Sequence, residues 1–468
     1  MPPPKLLPTL LLLTTVGGIV SSLGASLVPR IARELDVPLA SAQWTLTATM
    51  IAAAVSTPLI GRYAVAHRRR TTIVLGLGVV IVGTVLSALA IEISALGLPV
   101  LIAGRAAQGI GMAMAPLAMA VARDVFPPER ASSVMAVLSV GMVTGAGVGY
   151  PLAALVAQIG GLAAAFWFGT IISLLTLMLS ARYVPSAPFA APAPVNATDA
   201  LLLGAGTVAL LLGVSRTTSW GWDDPRTLTL LATGSAAVAL WVRVSLARTN
   251  PLVDLRLAFT TAAAGPNIAG LLAGAGMYMG LTLLMVLVQT RTPEGWGLGS
   301  SVLVAGLLLV PYSVMSVLGS RVSLLVGRYV DPAKVLPFGC AIYLISTVFL
   351  AFRHDRIWHA VVAMAVAGLG SGGTFATLPV LLVRVVPVAE TSSALAFNQV
   401  LRYFGFAVGS ALVVTVLTLA SGGPTPTERG FVVASLLNAA MWVVAIVAIC
   451  GFGRRARLPP GGPGSPPR

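Results

Sequence analysis

Charged side chains are scarce in this chain, and acidic ones especially so. Only 9% of the 468 residues are Asp, Glu, Lys or Arg, and just 14 residues are acidic. A soluble protein of this length covers its surface with charge, so the composition excludes a soluble globular fold. Cysteine occurs twice, at Cys340 and Cys450, and histidine three times. The two cysteines are far apart in apolar runs, so the sequence predicts no disulfide framework, metal site or cofactor.

Long apolar runs fill most of the remaining sequence. Hydrophobic residues make up 57% of the chain, and they form fourteen runs of about twenty residues. That length matches the roughly 30 Å of hydrocarbon that a transmembrane helix must cross. We therefore predict an all-α polytopic membrane protein with about fourteen transmembrane helices. The predicted spans are residues 9–29, 41–60, 71–91, 98–122, 131–159, 162–181, 199–215, 227–246, 265–289, 299–320, 333–352, 358–383, 391–419 and 430–451.

The basic residues are distributed unequally between the predicted loops. Of the 29 Lys and Arg residues, 19 fall on the side that carries both chain ends and 8 on the opposite side. Loops rich in Lys and Arg stay in the cytoplasm, so we expect a multi-pass cell-membrane protein with both termini cytoplasmic. The first run has full spanning length, and we expect it to be a retained helix rather than a signal peptide. The net charge of +15 then reflects contact with the lipid bilayer and gives no argument for nucleic-acid binding.

Two segments divide the chain. A proline-rich stretch interrupts the short loops after the sixth predicted helix, and a more polar stretch follows the eighth. Helices seven and eight are therefore expected to form an additional pair between two six-helix bundles. The predicted organisation is an N-terminal six-helix bundle (1–182), a proline-rich cytoplasmic linker (183–198), the additional helix pair (199–247), a C-terminal six-helix bundle (248–453) and a disordered cytoplasmic tail (454–468).

The two predicted bundles share a pattern of proline, serine and glycine. Five residues of the first bundle recur in the second at a constant offset, which favours two six-helix pseudo-repeats in parallel orientation. Such repeats are typical of transporters that move one half against the other around a site at the membrane midplane. A purely structural duplication would give the same pattern. The first set is Pro127, Ser132, Ser133, Gly145 and Gly149, and the second is Pro387, Ser392, Ser393, Gly405 and Gly409.

Three motifs carry a family resemblance. Residues 61–70 (GRYAVAHRRR) resemble a glycine-to-basic loop motif between helices two and three, and residues 105–111 (RAAQGIG) resemble a helix-four motif. Residues 141–151 place Gly141, Gly145 and Gly149 four apart before Tyr150 and Pro151, like a helix-five motif linked to exporters. With these motifs, the chain resembles a transporter of the major facilitator superfamily, of the fourteen-helix type associated with drug and metabolite efflux.

The resemblance implies a function. It predicts a secondary active transporter, not an enzyme, that exports small amphipathic molecules such as drugs or metabolites by alternating access, with protons as a candidate coupling ion and antiport as the mode. It assigns gating roles to Gly61, Arg69 and Arg70, although a topology anchor explains the basic cluster Arg68 to Arg70 equally well. The helix-five glycines also have a physical reading, since small residues spaced four apart let another helix approach closely, and Pro151 offers a hinge.

The chain departs from the family pattern in the first loop motif. Val65 stands where the family usually has an acidic residue, and Arg68 stands where it has glycine. We therefore expect the family's charge relay at the cytoplasmic gate to be weaker or to be rebuilt with Arg123, Asp124 and Glu129. The first helix also lacks the membrane-embedded aspartate that many fourteen-helix drug exporters carry.

Two arginines fall inside predicted helices. Arg402 is about 16 Å into its span at ~1.5 Å per residue, close to the midplane, and Arg105 is about 10 Å deep. An arginine at such depth is costly, so each is expected to face a cavity or a partner, with a structural role bonded to backbone carbonyls as the alternative. No acidic residue is predicted at the midplane, and Glu92 at the outer mouth is the coupling candidate. The predicted substrate-cavity residues are Arg105, Gln108, Tyr278, Gln289, Tyr312, Asn398, Gln399 and Arg402.

Two other functions remain open at this point. A membrane-embedded enzyme would need clustered ligands or paired carboxylates, whereas His67, His354 and His359 fall in loops or at a helix edge. A non-transporting membrane sensor or scaffold of the same fold is the second alternative, because the family's acidic gate residue is replaced by Val65.

Overall fold

The computed structural model describes residues 5–25, 27–42, 44–64, 68–93, 97–186, 196–248, 251–290, 296–423 and 425–455. Within these ranges every regular element is a helix and no strand is present. Among the described residues, thirteen helices are long and apolar enough to cross a membrane, and a shorter apolar helix covers Leu6–Val20. The predicted all-α polytopic fold is therefore confirmed, and the helices follow the predicted spans to within a few residues.

The N-terminal bundle, as we use the term here, consists of α1 and α4 to α8. Proline begins α8 at its first position, where its missing N–H costs nothing because that group would be unpaired in any case. A 3₁₀ turn at Ile110–Ala113 separates α6 from α7. The helices are α1 (Leu6–Ala25), α2 (Val28–Glu34), α3 (Leu39–Ala42), α4 (Trp44–Tyr63), α5 (Arg68–Glu92), α6 (Gly97–Gly109), α7 (Met114–Val125) and α8 (Pro128–Tyr183).

The helix pair (α9 and α10) and the C-terminal bundle (α12 to α18) follow. The side chains of Asn196, Asp224 and Asp331 accept backbone N–H groups at the starts of α9, α10 and α15, and so fix where those helices begin. The helices are α9 (Ala197–Trp220), α10 (Pro225–Ala247), α11 (Leu255–Ala258), α12 (Thr261–Gln289), α13 (Val302–Leu307), α14 (Leu309–Val326), α15 (Pro332–Phe352), α16 (Ile357–Val385), α17 (Thr391–Ser421) and α18 (Glu428–Arg455).

Two predicted spans, 131–159 and 162–181, are joined without a loop in α8. The helical geometry is broken at Gly161, whose φ of 86° and ψ of 172° lie in a region that side chains disfavour. Glycine supplies this conformation without steric cost, so the chain passes from one span to the next through a single residue.

Glycines bring the first and fifth spans of each bundle into close contact. A Cβ at Gly145 would overlap the carbonyl oxygen of Thr15 on α1, and a Cβ at Gly405 would overlap that of Leu271 on α12. These two glycines are also equivalent in the sequence repeat. Each bundle therefore places its glycine-bearing helix backbone-to-backbone against its own first helix.

The helix pair packs on the outside of both bundles. α9 and α10 contact one another, and α9 also contacts α4 and α17. Asp199 at the start of α9 is fully buried, accepts the backbone N–H of Leu252 at 3.2 Å and lies 3.8 Å from Arg248. Ser393 of α17 donates to the carbonyl of Leu252. The segment after α10 is therefore tied both to the helix pair and to the C-terminal bundle.

Candidate functional site

A cavity of about 410 Å³ lies between the two bundles and the helix pair. It is lined by α4 and α8 of the N-terminal bundle, by α9, and by α12 and α17 of the C-terminal bundle. A site shared by both halves is the position at which alternating-access transporters bind their substrates. The lining residues are Leu46, Thr47, Met50, Ile51, Tyr150, Leu211, Val214, Ser215, Tyr278, Tyr403, Phe406, Ala407, Ser410, Ala411 and Val414.

The cavity wall is aromatic and uncharged. Tyr278 and Phe406 stack with ring centroids 5.4 Å apart, and Tyr403 lies 6.0 Å from Phe406. Tyr403 Oη donates to the carbonyl of Met112 at 3.3 Å and so connects α17 to the N-terminal bundle. Among the lining residues that the structure describes, there is no charged side chain. Such a wall suits the apolar or aromatic part of a small molecule.

The cavity lies toward the side opposite the chain ends. α4 contributes residues from its first half and α9 from its second half, whereas α17 contributes residues from its middle and second half. With α1 starting on the terminal side, these are the helix portions that point away from it. We call the side that carries both ends of the helical array the terminal side and the other the opposite side.

Ion pairs close the protein on the terminal side. Arg62 at the end of α4 donates to both carboxylate oxygens of Glu390, at 2.9 and 3.0 Å, and so joins the two bundles. Arg69 on α5 pairs with Asp124 on α7, and its guanidinium also donates to Ser392 of α17 at 3.3 Å. These contacts hold the terminal-side ends of α4, α5 and α17 together.

Arg123 on α7 adds a second connection between the bundles. Its guanidinium donates to the carbonyls of Val383 and Val386 at 3.0 Å each, and also to Thr391 Oγ1. The last carbonyls of a helix lack partners within the helix and carry its partial negative charge. Arg123 therefore caps the C-terminal end of α16 from the other half of the protein.

Arg62 and Arg69 of the loop motif at residues 61–70 both take part in these terminal-side contacts. Val65 and His67 lie outside the described residues, so the departure at position 65 is not seen directly. Asp124 and Arg123, two of the residues expected to rebuild the gate, both take part in terminal-side contacts, whereas Glu129 is exposed. Arg70 donates to the carbonyl of Ala181 and to Ser186, within the same bundle.

Arg105 and Gln108 lie in the interior of the N-terminal bundle. Arg105 is 0% exposed and donates to the carbonyl of Val20 at 2.9 Å and to Gln108 Oε1. Gln108 in turn donates to Ser87 at 2.8 Å and to the carbonyl of Gly83. This network joins α1, α5 and α6, and neither side chain is part of the cavity lining.

The predicted residues of the C-terminal bundle are divided between three locations. Tyr278 lines the cavity, and Gln289 is exposed near the end of α12 with its amide close to Met285. Asn398 is buried and donates to Asn267 and to the carbonyl of Pro266. The remaining three, Tyr312, Gln399 and Arg402, are buried and are not part of the cavity lining.

The remaining predicted residues belong to helix contacts and to the opposite side. Gly61 packs against Ala396 of α17, and Gly141 and Gly149 pack against α1, while Pro151 lies inside α8 one residue after Tyr150. Glu92, the coupling candidate, is exposed at the end of α5 and accepts the Trp167 indole N–H at 2.8 Å.

Sequence reasoning missed most of the cavity wall. Tyr150 stands inside the helix-five motif, and Tyr403 directly follows the midplane arginine. The sequence therefore offered a reason to expect both residues at the cavity. It offered no such reason for Phe406, Ser410 and the first half of α4, because apolar and small residues are equally common on lipid-facing surfaces.

The fold and this cavity define a polytopic membrane transporter. The family model described as Major Facilitator Superfamily matches residues 10–410. The chain therefore belongs to the major facilitator superfamily, whose members are generally not enzymes. Its fold also matches a crystal structure of the human organic anion transporter MFSD10 (TETRAN), with a TM-score of 0.67 and 15% identity over 96% of this chain and 100% of that one.

Curated relatives include proteins named for export or for drug resistance. The chain is 29% identical to the cephamycin export protein CmcT of Amycolatopsis lactamdurans over 86% of this chain and 82% of that protein. It is 25% identical to the multidrug resistance protein Stp of Mycobacterium tuberculosis (strain CDC 1551 / Oshkosh) over 83% of this chain and 71% of that protein.

Proposed function

We propose that this protein is a secondary active transporter that exports small amphipathic molecules, drugs or metabolites, by alternating access. The observation that carries the proposal is the pairing of an aromatic cavity on the opposite side with ion-paired closure on the terminal side. This is the geometry of one end state of a rocking cycle. The described relatives named for cephamycin export and multidrug resistance support the same direction of transport.

The orientation in the cell follows from the basic residues. With both termini cytoplasmic in the cell membrane, the terminal-side contacts of Arg62 and Arg123 form the inner gate and the cavity faces outward. In this arrangement the two six-helix bundles are the moving units. The helix pair and the proline-rich linker then connect them.

The charge of the cavity region favours neutral or anionic substrates. No carboxylate lies among the described lining residues, while Arg402 adjoins the wall through Tyr403. An unneutralised positive charge in a low-dielectric site repels lipophilic cations. If cells lacking other pumps gained resistance chiefly to quaternary ammonium dyes, this preference would be wrong.

Proton coupling is the less direct part of the proposal. A proton carrier usually uses a buried carboxylate, and the cavity wall described above has none. We therefore assign coupling either to Glu92 at the opposite-side mouth or to the substrate's own ionisation. A sensor or scaffold of the same fold would change between the two conformations without moving a substrate across the membrane.

Flux in proteoliposomes separates these functions. The protein would be reconstituted in a C450S background, with fluorescent neutral, anionic and cationic amphiphiles as probes. We expect flux of neutral or anionic probes above that of empty liposomes. The matched control is R62C/E390C, in which a bifunctional maleimide should stop flux while a monofunctional maleimide on the same cysteines should not. No flux of any probe in the unmodified protein would favour the sensor.

A further inference from the structure

The two membrane-embedded arginines differ in how their guanidinium groups are satisfied. Arg105 donates to a backbone carbonyl and to Gln108, as a structural arginine does. Arg402 is 3% exposed, and within the described part of the chain its buried Nε has no hydrogen-bond partner and its guanidinium forms no ion pair. Its contact is with the face of the Phe375 ring, 4.4 Å from the guanidinium carbon. Arg402 is therefore a buried cation without an anionic partner among the described residues.

The polar groups around Arg402 are incompletely satisfied. Tyr312 Oη lies near the side chain of Ser371 and Gln399 near that of Tyr403, but Tyr312 Oη and Gln399 Nε2 are buried and make no hydrogen bond of normal geometry among the described residues. Gln399 and Arg402 are three residues apart on α17 and so share a helix face. The ionisable groups close enough to act on Arg402 are Tyr403 and Tyr312, and no carboxylate is among them. A hydroxyl, an amide and a guanidinium in the same region thus lack a well-placed acceptor among the described residues.

Arg402 lies on α17 beside residues of the cavity wall, although its own side chain is not part of the lining. Tyr403, the residue after Arg402, lines the cavity, and so does Phe406, which is one helical turn further along α17. A Cβ at Gly274 of α12 would contact the Arg402 side chain, so the absence of a side chain there leaves room for the arginine stem. An elongated molecule over Phe406 could therefore direct a polar end toward Arg402.

We propose that Arg402, assisted by Tyr312 and Gln399, binds the carboxylate of an amphipathic substrate whose aromatic or apolar part lies over Tyr278 and Phe406. A carboxylate accepts two parallel N–H groups from a guanidinium, which is the partner geometry that Arg402 lacks. This inference rests on the proposed transport function and assigns its substrate class. Arg105 then has a structural role only, and Arg402 alone accounts for the preference for anionic substrates.

Binding to the full-length protein in lipid nanodiscs tests the assignment. The probes are three aromatic carboxylates (dansylglycine, 1-naphthoate and salicylate), each compared with its neutral amide. We expect at least one carboxylate to bind ten times more tightly than its amide. R402Q should abolish that difference while changing amide affinity by less than twofold, and R402K should retain part of it.

The matched control is R216Q. Arg216 lies at the opposite-side end of α9, over the ring of Trp44, and could attract anions at the cavity mouth without binding them inside. We expect R216Q to keep the carboxylate preference. The proposal is overturned if R216Q rather than R402Q removes the preference, or if none of the three carboxylates binds better than its amide to the unmodified protein.

A ligand-free measurement gives a second test. Replacing an unpartnered buried charge with an apolar side chain of similar length removes a desolvation cost, whereas breaking a satisfied network adds one. Without ligand, R402M should unfold at or above the temperature of the unmodified protein, and R105M should unfold at a lower one. A decrease for R402M as large as that for R105M would show that Arg402 is structural.

Flux distinguishes failure of this inference from failure of the proposed function. If neutral amides are transported but R402Q leaves the carboxylate preference unchanged, the inference fails and the transport function remains. If no probe is transported although R402Q abolishes carboxylate binding, the site assignment remains and the transport function fails.

Discussion

Arg62 on α4 and Glu390 before α17 form a two-point ion pair, with Arg62 Nη1 at 2.9 and 3.0 Å from the two carboxylate oxygens. The two residues are 328 positions apart in sequence and belong to different bundles. The pair is more buried on the arginine side than on the glutamate side. It can exist only while the terminal side is closed, so it stabilises that conformation and not the open one.

Neutralising this pair should favour opening of the terminal side. A partly exposed ion pair contributes about 1 kcal/mol, so E390Q should shift the equilibrium roughly fivefold. Ser139, which donates to the carbonyl of Phe375 between the bundles, reports the change when replaced by cysteine in a C450S background. We expect faster alkylation of S139C in E390Q. The swap R62E/E390R should restore the slow rate, and an unchanged rate in E390Q would show that the pair does not gate.

Removing the Arg123 cap should also loosen closure. R123Q leaves two carbonyls at the end of α16 without their charged donor, and we expect a cost of about 1–2 kcal/mol, seen as faster S139C alkylation. R123K keeps the positive charge but not the several N–H donors of the guanidinium. Its rate of S139C alkylation should lie between those of the unmodified protein and R123Q. R130Q is the control, since Arg130 is exposed beside Phe126 and makes no contact with the C-terminal bundle in the described contacts. Equal effects of R123Q and R130Q would contradict the capping role.

Shortening the stacked aromatic pair should weaken substrate binding. Y278A or F406A removes a ring from the cavity wall and should raise the apparent KM for transport roughly tenfold, because a stacking pair adds about 0.5–1.5 kcal/mol beyond its buried area. The loss of binding free energy in the double variant should be smaller than the sum of the losses in the two single variants, since the rings contact each other. Tyr329, which is 89% exposed, provides the control substitution Y329A, and a similar effect there would mean that the loss is nonspecific.

Labelling from outside the cell tests the orientation. In a C450S background, S186C on the terminal side should resist a membrane-impermeant maleimide in intact cells and react after permeabilisation. D224C, at the start of α10 on the opposite side, should react in both conditions. Reaction of S186C in intact cells would invert the assignment.

Replacing Glu92 by Gln tests coupling through this carboxylate. The amide keeps an acceptor for the Trp167 indole N–H but cannot carry a proton at neutral pH. If Glu92 couples transport to protons, E92Q should lose pH-gradient-driven uptake of a substrate that does not titrate, while W167F should keep it. Full retention in E92Q, with such a substrate, would falsify both routes named above and point to another residue.

The spans were predictable from the sequence because a bilayer fixes their length and composition. The boundaries of α4, α15 and α16 follow from that constraint alone. The presence of two related bundles was predictable from the sequence repeat in which Gly145 and Gly405 are equivalent. The pairing of Arg62 with Glu390 was not predictable, since nothing in either loop specifies a partner 328 residues away. From the sequence, Arg105 and Arg402 are equivalent, since both are arginines inside predicted helices. Only three-dimensional contacts distinguish a satisfied guanidinium from an unsatisfied one.

The break at Gly161 has a consequence for engineering and for antibody recognition. Because one residue links the two spans of α8, this corner offers no stretch of chain that could accept an inserted tag or present a linear epitope. Any side chain at position 161 must adopt a positive φ, so even alanine is expected to strain the corner although the space beside it is empty.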